Sequence, residues 1–485
     1  MTDRSNTGAS AVTASAARYR DAHVAYWDSV AKATWQGLGG AYHRRLAGIY
    51  RFLVAPGQRV LEVGCAEGDL LAAVRPSEGV GVDFSPAMIG KGRARHPEFT
   101  FVLADAHEMA LDGTFDAVIL SDLTHDVWDV QGVLARVARH VHPKTRIIVN
   151  SYSRLWELPL EIAKVMGLAR PKIAQNWLTV QDLTHLLDLT DFEVIRHWEE
   201  ILWPLPLPLL GGLFNRFLVK VWPFHVFAMT NFVVARPRPR PDASVPAPRV
   251  SVVVPARNEA GNVAAIFART PELGAGTELI FVEGNSTDDT RATIEAAIKA
   301  HPERDAKLYV QAGKGKGDAV RLGFAKATGG VLMILDADLT VPPEDLPRFY
   351  EALATGKGDM INGVRLVYPM EREAMRFFNL LANKGFSLVF WWLLGQPVKD
   401  TLCGTKVMSR ADYERIAANR AYFGDFDPFG DFDLLFGAAR LGMKIMDLPI
   451  RYRERTYGTT NIQRWRHGWL LLKMTLVAAR RLKFV

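Results

Sequence analysis

The stretch VLMILDADLTVPPEDL, residues 331–346, decides how the second half of the chain folds. Five apolar residues, Val331 to Leu335, have the length and composition of a short buried strand, and Asp336, Ala337 and Asp338 follow at once. Alternate side chains of an extended backbone point to opposite faces, so Asp336 and Asp338 can share one face just past the strand end. Open α/β sheets bind ligands at the carboxyl ends of their strands. One or two carboxylates there, completed by phosphate oxygens, are what Mg2+ or Mn2+ takes in place of a full protein cage. Asp336 and Asp338 are therefore the candidate metal ligands. A lone pair of this kind is otherwise a solvated turn, and its neighbours in the chain decide between the two readings.

On the N-terminal side, VSVVVPARNEAGN (250–262) and ELIFVEGNSTDDT (278–290) are strands that each run into a polar turn. GKGKGDAVRLGF (313–324) places Lys314 and Lys316 in a glycine-rich loop before a helix. It is not a Walker loop, because Asp318 stands where a metal-binding Ser or Thr is needed. On the C-terminal side, DTLCGTK (400–406), GDFDLLFGAARLG (430–442) and RYRERTYGTTNIQRW (451–465) follow. Guanidinium forks match phosphate oxygens, so Arg451, Arg453 and Arg455 could clamp a diphosphate.

Together these segments resemble family 2 glycosyltransferases of the GT-A nucleotide-diphospho-sugar fold, nearest the dolichol-phosphate or polyprenyl-phosphate mannosyltransferase group, over roughly 249–465. The resemblance implies a nucleotide-diphospho-sugar donor and a lipid-phosphate or glycan acceptor. It places Pro255, Ala256, Arg257 and Glu259 along the base and ribose, and Glu283, where aspartate is usual, on the base, with Asp288 in the same turn. It brings Lys316 to the nucleotide, Asp336 to its ribose or the metal with Ala337 beside it, Asp338 to the metal, and Arg365 to a phosphate. DTLCGTK would lie on the acceptor side. Asp431 falls on the family's base position, with Gly430 replacing the glutamate of its Glu-Asp pair, and Arg451 and Arg455 belong to its mobile loop.

The first half repeats the strand-end pattern. RVLEVGCAEGD (59–69) runs from a strand through a glycine-containing turn into a helix start, where backbone can approach a ligand and the helix terminus favours negative charge. GVGVD (79–83), FVLADAHEM (101–109) and FDAVILSDLTHDVWD (115–129) are further strands, the first ending in Asp83 and the second at Asp105. This half resembles class I S-adenosylmethionine-dependent methyltransferases from about 55 to 235. The likeness implies that Glu62, Gly64, Ala66 and Gly68 surround the methionine part of S-adenosylmethionine. It puts Asp83 on the ribose, Phe84 and Met88 near the adenine, and Asp105 and Ala106 at the adenine edge. Among His125, Asp126 and Trp128 after the fourth strand, His125 is the candidate general base, since an ordinary imidazole titrates near pH 6.5. ILWPLPLPLLGGLFNRFLVKVWPFH (201–225) is apolar and proline-rich, suited to capping an acceptor pocket or touching a bilayer.

With 485 residues, more than one domain is expected. RPRPRPDASVPAPR (236–249), with five prolines and four arginines, reads as a stiff linker. The expected architecture is two α/β domains: a Rossmann-like methyltransferase fold over 1–235 with an N-terminal helical cap, and a GT-A fold over 250–485. Cys65 and Cys403 suggest no disulfide framework, and no signal peptide or membrane span is read, so the expected place is the cytoplasm. The net charge of +7 favours anionic partners, and no nucleic-acid motif accompanies it. Two segments point to peripheral contact with the inner face of a membrane. One is a helix over 374–395 with a narrow polar stripe at Arg376, Asn379, Asn383 and Ser387; the other is the basic C-terminal RWRHGWLLLKMTLVAARRLKFV. The functional expectation is a bifunctional methyltransferase and inverting glycosyltransferase. The alternative is an active glycosyltransferase with a non-catalytic cofactor-binding or scaffolding module in front.

Overall fold

Val60, Leu61 and Val63 in one half and Val252, Val253 and Val254 in the other are wholly buried, as uninterrupted apolar runs must be when helices cover both faces of a parallel strand. They belong to the central strands of two seven-stranded sheets. A computed structural model describes the chain apart from residues 1–3, 33–38, 167–172, 174, 206–209, 241–243, 245, 366, 368–376, 425–429, 454, 456 and 458–463. It divides into two compact units, residues 1–238 with 484–485, and residues 239–483.

The first unit holds β1 (Arg59–Val63), β2 (Glu78–Asp83), β3 (Thr100–Leu103), β4 (Phe115–Ser121), β5 (Val141–Tyr152), β6 (Phe192–Glu200) and β7 (Thr230–Pro237). Their order is β3-β2-β1-β4-β5-β7-β6. β1 to β5 are parallel, and β7 runs antiparallel to both β5 and β6. The pairings Val63↔Val82 and Asp83↔Leu103 bring the carboxyl ends of β1, β2 and β3 level, so Gly64, Asp83 and Asp105 follow at one edge. The Arg-Pro repeat begins later as a linker than composition suggests. Arg236 and Pro237 close β7, because the buried Arg236 guanidinium pairs with Glu193 on β6 (3.0 Å) and holds the strand together.

The second unit holds β8 (Val250–Ala256), β9 (Thr277–Glu283), β10 (Asp305–Val310), β11 (Val331–Ile334), β12 (Met360–Val364), β13 (Lys406–Ser409) and β14 (Ile445–Pro449). Their order is β10-β9-β8-β11-β13-β12-β14. β13 is antiparallel to its neighbours β11 and β12. Because Met333 pairs with Val407, the amino end of β13 meets the carboxyl end of β11, and the segment 400–406 is delivered to Asp336. The two halves are thus the two α/β folds that the strand pattern implied.

Candidate functional site

Each unit has a polar edge at the carboxyl ends of its strands. In the first, Gly64, Ala66 and Gly68 all take positive φ, 75°, 45° and 77°. A side chain on Gly64 would press on Leu123 and one on Gly68 on Phe101, so the turn and its packing require these glycines, rather than the approach of a ligand alone. The turn aims the Ala66 N–H at Asp83 Oδ2 (2.9 Å), while the Ser85 N–H donates to Oδ1 (2.9 Å). Burial nonetheless pushes Asp83 up to about 6, against the pull of those N–H groups and with Asp28 adding to the rise. Burial also pushes the Glu62 carboxyl well above its ordinary range, and its Oε2 meets no hydrogen-bond partner. Two buried acids without a cation suit a ligand that brings positive charge and hydroxyl donors. S-adenosylmethionine carries a sulfonium, an ammonium and a ribose diol, so the residues present fit it.

Around this edge, Phe84 is half-buried and Met88 and Ala106 are buried. The helix Arg4–Lys32 lies across it: Asp28 accepts from the Ser85 hydroxyl and from the Ala87 N–H (3.2 Å), and Val30 and Ala31 pack with Met88. Asp105 is engaged by His107, whose Nδ1 lies 2.6 Å from Oδ1; burial of Asp105 is outweighed by that partner, and its pKa is lowered. The structure places His125, the expected base, out of solvent with both ring nitrogens engaged. It is 1% exposed, its Nε2 accepts the Tyr152 N–H (2.9 Å), and its Nδ1 lies 3.2 Å from the Asn176 carbonyl. The residue that sequence reasoning passed over is Asp122, at φ 52° just past β4. The Tyr42 hydroxyl reaches both its oxygens (2.9 and 2.8 Å), and Asn150 donates to one (2.6 Å). The signal was present, since Asp122 ends its strand as Asp83 ends β2. A cleft of about 510 Å³ borders Tyr42, with Arg44, Arg45, Trp203, Asn215 and Arg216 among its lining.

In the second unit Asp336, Asp338, Glu259 and Asp431 each face a cation. Lys316 Nζ stands 2.5 Å from Asp336, Arg455 reaches Asp338 (2.6 Å) and Glu259 (3.0 Å), and the fully buried Lys406 donates to Asp431 (3.0 Å). Burial disfavours the Lys316 ammonium, but Asp336, Asp431 and Asp338 outweigh it and hold its pKa above the ordinary lysine value. Burial likewise disfavours charge on Asp336, and Lys316 reverses the effect. Gly404 lies against this pair: a Cβ there would fall on the Lys316 ammonium and the Asp336 carboxylate. Gly430 explains the missing glutamate before Asp431. Its φ is 78°, and a Cβ would come within 2.6 Å of the Gly317 backbone.

Pro255 and Ala256 end β8, Arg257 is exposed, and Ala337 is buried. The buried Glu283 accepts from the Ser286 N–H (2.5 Å), and Asp288 accepts from the Thr290 N–H (3.0 Å). Two expected phosphate contacts are engaged by other partners or line another cleft, although Arg365 is near enough to help lower Asp336. Arg365 forms a two-point pair with buried Asp400 (2.7 and 2.9 Å) that occupies its fork. Arg451 lines a cleft of about 410 Å³ with Arg348, Glu344 and Arg453, apart from the Asp336 and Asp338 carboxylates. Lys406 and Asp400, which shape the site, were not singled out from the sequence; both sit in DTLCGTK, where a lysine among small residues was the available sign. Among the described residues no three His, Cys, Asp or Glu side chains gather to hold a metal. The donor set fits Mg2+ or Mn2+ only as an ion shared with a ligand's phosphates.

Comparison with known proteins separates the halves in the same way. Residues 39–197 match the family described as "Methyltransferase domain", and residues 251–416 match "Glycosyl transferase family 2". Dolichol-phosphate mannosyltransferase of Pyrococcus furiosus is 27% identical over 248 residues, 49% of this chain and 67% of that protein. Undecaprenyl-phosphate 4-deoxy-4-formamido-L-arabinose transferases of Sodalis glossinidius and Klebsiella pneumoniae are 26% and 32% identical, over 43% and 44% of this chain. The chain spans 61% and 62% of the length of these two. Among solved structures, an S-adenosylmethionine dependent methyltransferase from Mesorhizobium loti aligns at 21% identity and a TM-score of 0.32, covering 41% of this chain and 100% of that one, a superposition too weak to argue from.

Proposed function

We propose that this polypeptide, which carries both a methyltransferase domain and a family 2 glycosyltransferase domain, transfers a sugar from a nucleotide-diphospho-sugar to a polyprenyl-phosphate acceptor and methylates a second substrate. The pairing of Asp336, Asp338 and Asp431 with Lys316, Arg455 and Lys406 carries the first part. Such pairs hold cations at the strand ends without a ligand and can pass them to an arriving diphosphate.

The chemistry follows from charge. An acceptor oxygen attacks the anomeric carbon, the bond to the nucleotide diphosphate breaks, and its electrons leave with the diphosphate, where negative charge grows. Positioned cations are the largest single contribution to stabilising such a leaving group. In this reading Lys316 and Arg455 provide it, and Pro255, Ala256, Arg257, Glu259, Glu283 and Asp288 seat the base and ribose. A divalent ion, when bound by Asp338 and Asp336 with the diphosphate, supplies Lewis-acid stabilisation of the same charge. A phosphate acceptor is already anionic and needs no base, whereas a hydroxyl acceptor needs Asp431 to take its proton.

The relatives that act on dolichol and undecaprenyl phosphates support the lipid acceptor. No helix among the described residues is long and apolar enough to cross a membrane. The helix Phe377–Leu394 supports peripheral contact on one side: Phe390 is buried against Phe432, while Leu388 and Trp391 are exposed. Arg376 of its expected polar stripe lies outside the described residues. The C-terminal helix Arg464–Ala478 likewise exposes Trp469 and Leu476.

The test offers labelled nucleotide sugars with membranes, with and without a chelator, and follows label into the lipid-extractable fraction. Label only in water-soluble product overturns the lipid acceptor, and full activity in chelator overturns the shared metal. The occupied ring of His125 favours a second reading, in which the first half binds S-adenosylmethionine without transferring its methyl. Methyl transfer from the labelled cofactor to a membrane extract excludes that reading.

A further inference from the structure

The helix Glu157–Val165 is built inside out. Leu158, Ile162 and Val165, four and three positions apart, share one face and are 70%, 51% and 89% exposed. Leu155 and Met166 at its ends extend that face outward, while Glu157 and Lys164 are half-buried on the other side. A helix on a soluble surface turns its apolar stripe to the core. A second segment, 213–227, exposes Leu213, Phe217, Trp222, Phe224 and Phe227. The Trp156 indole N–H donates to the Phe227 carbonyl (3.0 Å) and joins the two into one patch. The helix follows β5 and the segment precedes β7, and the pairing Tyr152↔Thr230 puts both at the carboxyl end of β5. That is the edge on which Gly64, Asp83 and Asp122 lie.

We propose that this patch inserts into the headgroup layer of a bilayer, so that the cofactor edge of the methyltransferase unit works at the membrane surface on an amphiphilic methyl acceptor. Apolar and aromatic side chains that stand out from two segments match an interfacial contact. The exposed Arg44 and Arg216 in the neighbouring cleft complement anionic lipid, whereas Arg154 faces Glu157 (3.9 Å), Arg45 is engaged by Glu200 (3.2 Å) and Lys164 is paired with Glu161. The inference stands apart from the sugar-transfer reading, because every residue in it belongs to the first unit.

The test uses the full chain with vesicles of phosphatidylethanolamine and phosphatidylglycerol. Cys65 and Cys403 are both buried, so Ile162→Cys and Phe227→Cys can each carry an environment-sensitive fluorophore, with exposed Asp112→Cys, before β4 at the opposite edge of the sheet, as the control. Vesicles should raise emission about threefold at 162 and 227 and leave 112 unchanged, as for probes entering the interfacial layer. Brominated lipid should then quench the first two. Two results overturn the proposal: probes that stay in water while the chain co-sediments or fails to, and emission already raised without vesicles in proportion to protein concentration, which would mean that a second copy covers the face. Circular dichroism of each variant guards against loss of fold.

Discussion

The two strand-end edges are alike in position and differ in how their acids are compensated. At the first, Glu62 and Asp83 are buried acids served by backbone N–H groups or by nothing, and burial lifts both. At the second, Asp336, Asp338 and Asp431 are each matched by a lysine or arginine. An unpaired buried acid is costly in its ionised form, and the cost is relieved by protonation or by a ligand that brings positive charge or donors. A paired acid is a store of cation that a polyanion can draw on. One architecture thus suits a sulfonium cofactor at one edge and a diphosphate at the other.

The largest effect expected from this contrast is at Lys316. Lys316→Ala should lower sugar transfer by about 10^2–10^3-fold, the usual loss when one donor to a developing anion is removed. Steady-state rates with a nucleotide sugar measure it, and Lys316→Arg should recover part of the loss if charge is what matters. A decrease below tenfold would mean that the pair is merely structural, and the contrast would fail at its stronger end.

Arg365 sharpens the comparison, because its pair with Asp400 is not exchangeable. Both guanidinium bonds are spent on a carboxylate that is 1% exposed. Removing one partner of a buried pair leaves a naked charge, so Arg365→Ala should destabilise the second unit by about 3–5 kcal/mol. Denaturant unfolding checks this. Unchanged stability with a raised Michaelis constant for donor would return Arg365 to phosphate binding.

How much of this was legible beforehand depends on how the sequence carries each feature. Asp336 and Asp338 were readable because an apolar run and the acids that end it are adjacent in the chain. Asp83 and Asp105 were readable for the same reason. Asp400 and Lys406 were not, since the antiparallel β13 brings them to β11 from a distant part of the chain and no local pattern announces that pairing. The resemblance puts Arg365 on a phosphate, and no local pattern shows that a buried aspartate already takes its fork. For His125, imidazole chemistry is visible in a sequence, and the backbone groups that occupy its two nitrogens are not.

Asp83 tests the unpaired edge by pH. Its folded value of about 6 lies above the ordinary aspartate range, so the fold favours the protonated form. Without cofactor its contribution to stability is full below the unfolded value and is lost as pH rises through about 6, amounting to roughly 3 kcal/mol. Ribose hydroxyls donate to the ionised form, so affinity for S-adenosylmethionine should change the other way, weakening by about tenfold per pH unit below 6. Titration calorimetry from pH 5 to 7.5 follows both the affinity and the proton released on binding. Asp83→Asn should weaken cofactor binding and flatten the pH dependence without stabilising the cofactor-free unit, because an amide can accept from only one of the Ala66 and Ser85 N–H groups. A flat profile would show that Asp83 does not touch the ligand.

The smallest effect is expected at Gly430, and it asks whether the paired edge tolerates any change in backbone. Its φ of 78° is a left-handed conformation that costs a residue with a Cβ about 1–2 kcal/mol, and the Gly317 backbone leaves that Cβ too little room. Gly430→Ala should therefore lower stability by at least about 1–2 kcal/mol, the backbone cost alone, and slow transfer only as far as Asp431, the next residue, is displaced from Lys406. Thermal unfolding and steady-state rates separate the two. Gly430→Glu, which restores the residue that the resemblance implies here, should cost more than the alanine and gain no activity, because the carboxylate would enter from a backbone already in contact with Gly317. Activity above that of the unaltered chain would mean that this edge lacks a group it needs, and that pairing with cations is a substitute for chemistry rather than preparation for it.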